Sequence, residues 1–153
     1  MAGVSSDRGS DYLCLREEPQ WKNHIENYGY YTRVEGIVYY LTRNDSSLFS
    51  TANTGGRRLY RNPVPCAVCY VPQRSTSVMM PASTSCPVGW TQEYAGYSMA
   101  YSDSNFICVD HAPEVANGGS SMYPVSMVRV NCRGLPCSSY RDYWELACVV
   151  CTK

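Results

Sequence analysis

Cysteine content constrains this 153-residue chain more than any other feature, because nine of its residues are cysteines. They are Cys14, Cys66, Cys69, Cys86, Cys108, Cys132, Cys137, Cys148 and Cys151. Two similar stretches, VPCAVCYV at 64–71 and LACVVCTK at 146–153, each place two cysteines three positions apart among β-branched residues. A cysteine content this high is typical of proteins from oxidising compartments, where cysteines pair. The sequence therefore predicts a secreted, extracellular protein.

The two C-x-x-C motifs have three interpretations. Four thiolates could hold a zinc ion, but the motifs are far apart, lack tight glycine turns and leave five cysteines unexplained. A thioredoxin-like redox pair needs a helix N-terminus to activate the thiol, and none is predicted after Cys151. Residues three apart on a strand point to opposite faces. The sequence thus favours disulfides, in which each cysteine of a motif reaches a different partner.

The predicted disulfide map is only partly defined. The eight cysteines from Cys66 onward predict four disulfides, for which 105 pairings are possible. We prefer one local bridge, between Cys86 and Cys108, which would contribute roughly 3 to 4 kcal/mol through loop closure. Cys14 is then left over, so we expect it to be a free thiol or the intermolecular bridge of a homodimer.

The fold is predicted to be all-β, with little helix. Fourteen tyrosines against two phenylalanines favour sheets over apolar helical cores. Short apolar runs alternate with turn residues, and the runs predicted as strands are 34–42, 67–71, 77–80, 90–94, 106–109, 125–130 and 146–150. One short helix is expected over 21–27, with loops near 44–47, 53–56 and 117–121. We expect a flexible tail at 1–10 and a single disulfide-stapled domain at 11–153.

Charge and hydropathy disfavour several classes of partner. Thirteen basic and thirteen acidic residues cancel, so no broad field attracts a polyanion and nucleic acid is not expected to bind. The basic run GGRRLYR at 55–61 is interpreted as a solvated loop or strand edge. No apolar stretch approaches the ~20 residues of a membrane span, and no secretory signal is visible at the N-terminus. Residues 44–46 fit a glycosylation acceptor, which supports export.

Catalysis is not expected. The chain has two histidines, His24 and His111, and it has neither a nucleophile-elbow pattern nor a glycine-rich phosphate loop. Glu93, Asp110 and Glu114 could supply a carboxylate pair, but nothing in the sequence fixes their separation.

Residues 64–153 resemble a family of secreted marine-invertebrate proteins. The resemblance lies in VPCAVCYVPQRSTSVMMPASTSCPVGWTQEYAGYSMA, FICVDHAPE, NCRGLPCSSY and ELACVVCTK. The family includes the C-terminal domain of sponge short-chain collagens and the calcium-dependent galactose-binding lectins of sea-anemone type. YLCLREEP at 12–19 is similar to the family's earlier unit, whose opening half, with the usual partner of Cys14, is absent here. LCLREEP and ICVDHAP also echo each other, which suggests two related half-units.

The resemblance implies a calcium-assisted galactose site in the loop-rich segment 103–117. Calcium prefers hard oxygen ligands, and Asp103, Asn105, Asp110 and Glu114 are the candidate metal ligands. Asp110, Glu114 and Asn117 are candidates for binding the sugar hydroxyls. The alternative is ordinary turn chemistry, since Asp and Asn commonly begin turns.

A second candidate sugar surface is the run YRDYWE at 140–145. Tyr143 and Trp144 could form a stacking platform beside the carboxylate of Asp142. The alternative is that Trp144 belongs to the core or to a subunit interface. Relatives tend to have Gly-Arg at these two positions, so this departure leaves the sugar preference open.

The resemblance thus predicts a lectin for cell-surface glycans with terminal galactose, using calcium. A homodimer would crosslink glycans through multivalency. The alternative is an extracellular matrix or assembly domain that binds no sugar.

Overall fold

The prediction of a mainly β, disulfide-stapled domain is confirmed. The structure, a computed structural model, describes residues 2–4, 11–22, 34–102, 104–118, 123–131, 133–136 and 138–153. Across this part of the chain there are seven strands and one short helix. They are β1 (Ala2–Val4), β2 (Val34–Tyr39), α1 (Arg43–Ser46), β3 (Ser77–Pro81), β4 (Thr91–Ala100), β5 (Ile107–Asp110), β6 (Tyr123–Met127) and β7 (Ala147–Thr152).

The strands are hydrogen-bonded in the order β1-β2-β6-β4-β7-β3, and β5 pairs with β4 beside this path. β2 and β6 run parallel, whereas the other pairs are antiparallel. At the middle of β4, Gly96 is opposite Asp110 of β5 and Cys148 of β7. A Cβ atom on Gly96 would lie 1.9 Å from the carbonyl oxygen of Val109. Only glycine therefore permits this close approach of the strands.

Six of the predicted strands are present with shifted ends, but the run 67–71 is not a strand. Both edges of β7, which holds the other C-x-x-C motif, are occupied by β4 and β3, and the run 67–71 pairs with no strand of the described sheet. Val68 and Tyr70 are each 86% exposed. Of the predicted helix 21–27, Trp21 and Lys22 have no regular structure, and residues 23–27 lie outside the described residues. Within the predicted tail, β1 pairs with β2.

The disulfide pairing differs from the prediction. Cys86 bonds Cys151, and Cys108 bonds Cys148, so a bridge between Cys86 and Cys108 is wrong. Cys108 and Cys148 lie on the two strands that flank β4, opposite Ser98 and Gly96 respectively. Sheet pairing therefore brings Cys108 to β7 and not to the segment before β4.

Cys14 is neither free nor intermolecular, since it bonds Cys66. Among the described residues the free thiol is Cys69, which is exposed, so its predicted disulfide is also wrong. Cys132 and Cys137 lie outside the described residues. Cysteines of one C-x-x-C motif do not bond each other, as predicted, and the zinc interpretation is excluded because Cys66, Cys148 and Cys151 are oxidised in disulfides.

The hydrophobic core lies on the β2 side of the sheet. Its buried members are Ile37, Tyr39, Leu41, Phe49, Leu59, Val64, Met99, Val109, Val115 and Val125. The hydroxyl of Tyr39 donates to the carbonyl of Glu114 at 3.0 Å, and burial raises the pKa of this phenol well above its ordinary value. This bond ties β2 to the loop after β5.

The two similar segments LCLREEP and ICVDHAP, which suggested two related half-units, adopt different conformations. Residues 107–110 form β5, whereas residues 13–16 lie outside the seven strands. Among the described residues, no helix is both long and apolar enough to cross a membrane.

Candidate functional site: a tyrosine cleft beside α1

A surface cleft of about 670 Å³ lies where β2 leads into α1. Its volume is in the range of small-molecule sites. We call it the tyrosine cleft and define it by its lining residues, which are Tyr40, Leu41, Thr42, Arg43, Ser46, Thr51, Arg58, Leu59 and Tyr60. None of the residues predicted to bind sugar or metal lines it.

The two tyrosines of the cleft meet because the chain returns antiparallel to β2. The amide of Tyr39 donates to the carbonyl of Asn62 at 3.0 Å, and the amide of Arg61 donates to the carbonyl of Tyr39 at 2.7 Å. This return sets Tyr60 beside Tyr40, with ring centroids 5.4 Å apart and planes inclined by 47°. The rings are 47% (Tyr40) and 43% (Tyr60) exposed, so each offers part of its surface to a ligand.

A capping box forms α1, where a loop was expected. The Thr42 hydroxyl oxygen accepts from the amide of Asp45 at 3.1 Å, and the Asp45 carboxylate accepts from the amide of Thr42 at 3.1 Å. This reciprocal pair satisfies helix donors. Arg129 also pairs with the buried Asp45 and, at 3.1 Å, with Glu145. The Asp45 carboxylate is thus already bound. Asn44, in the predicted glycosylation acceptor, is exposed.

A tight turn shapes the opposite wall. The amide and hydroxyl of Thr54 both donate to the carbonyl of Thr51, at 3.2 and 3.0 Å. Gly55 and Gly56 follow with φ values of 61° and 80°, in the left-handed region that glycine adopts without strain. The turn directs Leu59 into the core, where it is 3% exposed.

The loop predicted to bind sugar supports this wall instead. Arg57 donates to the carbonyl of Val115, to the carbonyl of Ala116 at 3.0 Å and to Oδ1 of Asn117 at 3.1 Å. Asn53 donates to the carbonyl of Ala112 at 2.9 Å. Four hydrogen bonds therefore join the two loops before any ligand binds.

Of the predicted sugar ligands in this loop, Asp110 and Asn117 have intramolecular partners. Oδ1 of Asp110 accepts from the amide of Ala112 at 3.0 Å and lies 3.1 Å from Nδ1 of His111. The carboxylate of Glu114 is on an exposed residue, while its carbonyl accepts from Tyr39. The Asp110 bond to Ala112 is the turn chemistry of the alternative interpretation, whereas Asn117 and the carbonyl of Glu114 take part in long-range contacts.

The candidate calcium ligands are not brought together in the described part of the chain. The side-chain amide of Asn105 donates to the carboxylate of Asp11. Asn105 and Asp110 lie at opposite ends of β5, whose length from residue 107 to 110 is about 10 Å. Asp103 lies outside the described residues. In the ranges that the structure describes, no three His, Cys, Asp or Glu residues are grouped to hold a metal ion.

The second predicted surface is exposed. Tyr143 is 78% and Trp144 is 59% exposed, so Trp144 is not a core residue. The guanidinium of Arg141 lies over the Trp144 ring at 4.7 Å from its centroid, a cation–π arrangement. Tyr143 has φ 67° and Asp142 beside it is exposed. This turn is an exposed aromatic patch, and none of its residues lines the tyrosine cleft.

The polar side chains of the tyrosine cleft are hydroxyls, which both donate and accept, and guanidiniums, which only donate. The hydroxyls of Tyr40, Tyr60 and Thr51 have no side-chain hydrogen-bond partner within the described ranges. Arg43 and Arg58 add two guanidiniums, and no lining residue carries a carboxylate or side-chain amide. Sequence reasoning missed this site because GGRRLYR was interpreted alone. Two features of the sequence could have indicated the site. They are the tyrosine among arginines in GGRRLYR and the adjacent tyrosines at 39–40.

No family model matches the chain, and no solved structure matches it.

Proposed function

We propose that this protein is a secreted glycan-binding protein, a lectin, and that the tyrosine cleft is its sugar site. The observation that carries the proposal is the pair of half-exposed tyrosine rings, 5.4 Å apart, in a cleft of about 670 Å³. Three disulfides support an extracellular location.

Sugar binding suits this lining for physical reasons. A pyranose ring has an apolar C–H face that packs on an aromatic ring, and contacts between aromatic rings give a scale of about 0.5–1.5 kcal/mol beyond area burial. The free hydroxyls of Tyr40, Tyr60 and Thr51 can bond the sugar oxygens. The brace from Arg57 to residues 115–117 holds one wall in place before binding, which lowers the cost of ordering the site.

The preference for terminal galactose and the use of calcium belong to the proposal through the resemblance in residues 64–153. A glycan array run with calcium and with a chelator tests both. Binding to galactose-terminated glycans that the chelator abolishes supports them. Galactose binding that persists with the chelator supports a lectin and contradicts the use of calcium. An array without any bound glycan overturns the proposed function.

Substitutions in the cleft test its location. We expect Tyr60→Ala and Tyr40→Ala each to weaken glycan affinity about tenfold, which corresponds to 1.4 kcal/mol. Tyr60→Phe keeps the ring and should retain most of the affinity. Tyr70→Ala is the matched control, because Tyr70 is 86% exposed and lies outside the cleft. If Trp144→Ala abolishes binding while Tyr60→Ala does not, the sugar site is the aromatic patch at 143–144.

A second candidate function is an assembly role without sugar, favoured by the exposed run 67–70. Val68 and Tyr70 flank the free thiol of Cys69, and an exposed apolar run is typical of association surfaces. The proposed homodimer would then use this run in place of Cys14. Sedimentation analysis of the natural protein, Cys69→Ser and Val68→Ser tests this role, and a monomer in all three proteins would exclude it.

A further inference from the structure

We infer that the tyrosine cleft selects acidic sugars, namely galactosides that carry a carboxylate or a sulfate group, and that Arg43 and Arg58 bind this anionic group. The inference rests on the proposed sugar site and specifies its ligand. It goes beyond the galactose preference, which concerns a neutral sugar.

Most other arginines near this region already have partners. Arg57 is bound to the 115–117 loop, and Arg129 is paired with Asp45 and Glu145. Arg61 lies over the Tyr60 ring at 5.4 Å from its centroid. Within the described ranges, Arg43 and Arg58 have no ion pair and their side chains make no hydrogen bond.

The lining also lacks the carboxylates and side-chain amides that often accept hydrogen bonds from a neutral sugar. A neutral sugar hydroxyl both donates and accepts, so its site usually supplies carboxylate or amide oxygens as acceptors. No lining residue has such a group, and the carboxylate of Asp45 on α1 is occupied by Thr42 and Arg129. The guanidiniums of Arg43 and Arg58 only donate, so they match a carboxylate or a sulfate, whose oxygens only accept.

Charge strengthens this match. The whole chain has a formal net charge of zero, yet the cleft has two cationic side chains and no acidic one. A guanidinium binds a carboxylate or another oxyanion through two parallel hydrogen bonds. Both arginines are exposed, so the attraction must weaken as salt screens it.

Matched monosaccharides provide the test. Galactose and galacturonic acid share ring stereochemistry and differ in a hydroxymethyl against a carboxylate, and galactose 6-sulfate gives a second anion. Each is titrated calorimetrically at about 50 mM and about 500 mM salt, where the screening length falls severalfold. We expect both acidic sugars to bind at least about tenfold more tightly than galactose at low salt, with a smaller ratio at high salt.

Variants separate a specific anion site from general charge. Arg43→Gln/Arg58→Gln should remove the preference, so that galactose and the two acidic sugars bind this variant with affinities within about twofold of one another. Arg43→Lys/Arg58→Lys should keep part of it, because the charge remains without the bidentate geometry. The matched control is Arg16→Gln/Arg133→Gln, which changes the net charge equally at two exposed positions outside the cleft.

The outcomes distinguish this inference from the proposed function. Galactose binding with no preference for acidic sugars overturns the inference and leaves the lectin in place. A preference that survives Arg43→Gln/Arg58→Gln, or that the control pair removes equally, also overturns it. Failure of all three sugars to bind at either salt overturns both.

Discussion

At one end of the sheet, β2 lies in the hydrophobic core, and residues 34–64 around it contain no cysteine. At the other end, β7 and β3 contribute no residue to that core cluster. Two disulfides hold β7 instead, through Cys148 and Cys151, which are both fully buried. β3 is only partly covered, and Val78 is 38% exposed. Apolar burial thus stabilises the cleft end, while covalent bonds stabilise the β7 end.

The disulfides that hold β7 are therefore at the opposite end of the sheet from the proposed sugar site. Oxidation constrains the β7 end even though it buries few large side chains, because a disulfide reduces the freedom of the unfolded chain. The cleft end depends on close packing, so removing even one methylene group from its core lowers the stability of the fold. Substitutions that probe the cleft must therefore spare Ile37, Leu41 and Leu59.

The largest effect is expected at the β7 end. Replacing Cys108 and Cys148 together by alanine should lower the free energy of unfolding by about 4 kcal/mol, because the bond closes a long loop. Denaturant titration of the oxidised protein measures the loss. Cys69→Ser is the control and should change stability by less than about 0.5 kcal/mol, as expected for an exposed free thiol. A double variant as stable as the natural protein would show that the β7 end does not need its disulfide.

A comparable but smaller effect is expected from the core at the cleft end. Ile37→Ala removes a side chain that is 1% exposed and should cost about 3 kcal/mol through lost burial and a cavity. Val78→Ala at the other end should cost less than about 1 kcal/mol, since Val78 is partly in water. Similar losses for the two variants, measured by the same titration, would remove the distinction between the two ends.

The brace between the loops should have an intermediate effect. Arg57→Lys keeps the charge but cannot reproduce the forked contacts to the carbonyls of Val115 and Ala116. We expect a loss of about 1–2 kcal/mol in stability and a severalfold fall in glycan affinity, because the cleft wall is then less ordered. Arg58→Lys, one position along, should leave stability unchanged. Hydrogen exchange of residues 51–57 locates the change, and unaltered protection there would contradict the brace.

The smallest effect is expected on the pH dependence of stability, through Glu93, which contacts Thr152 of β7. Hydrogen bonding from Thr152 and the charge of Arg74 hold the pKa of Glu93 below its ordinary value of 4.5, against a raising effect of desolvation. A carboxyl whose pKa is lower in the folded state stabilises the fold above its unfolded pKa. It loses that contribution as the pH falls through the folded value. Glu93→Gln should therefore be less stable than the natural protein at neutral pH, with a gap that shrinks below pH 4.5. A pH-independent gap in thermal unfolding would show another cause.

Much of the fold could be predicted from local pattern. Strands from β2 to β7 follow β-branched and aromatic runs, whose positions the sequence states directly. The pairing of Cys108 with Cys148 could not be predicted, because it depends on β4 lying between β5 and β7, a long-range arrangement that no local spacing encodes. The exposed run at 67–71 has the composition of a strand. It is not one, since it pairs with no strand of the described sheet, and strand composition alone does not supply a pairing partner.

The candidate site was less predictable than the fold. Asp110 and Asn117 have the residue types of ligands, but Asp110 stabilises a turn and Asn117 accepts from Arg57. Tyr40 and Tyr60 are far apart in sequence for a local motif, and they meet only because residues 61–64 return along β2. The capping box at Thr42 and Asp45 is readable from sequence. The helix was not predicted, because Asn44, Ser46 and Ser47 in the same segment also indicate a loop.

The parallel pairing of β2 with β6 has a kinetic consequence. Ile37 is opposite Tyr123, so two segments separated by more than half of the chain must meet before β2 has its inner neighbour. Contacts of this sequence separation slow folding, because loop closure precedes any gain from pairing. We therefore expect the cleft to gain ligand-binding competence late during refolding, after the local antiparallel β4–β5 pair has formed.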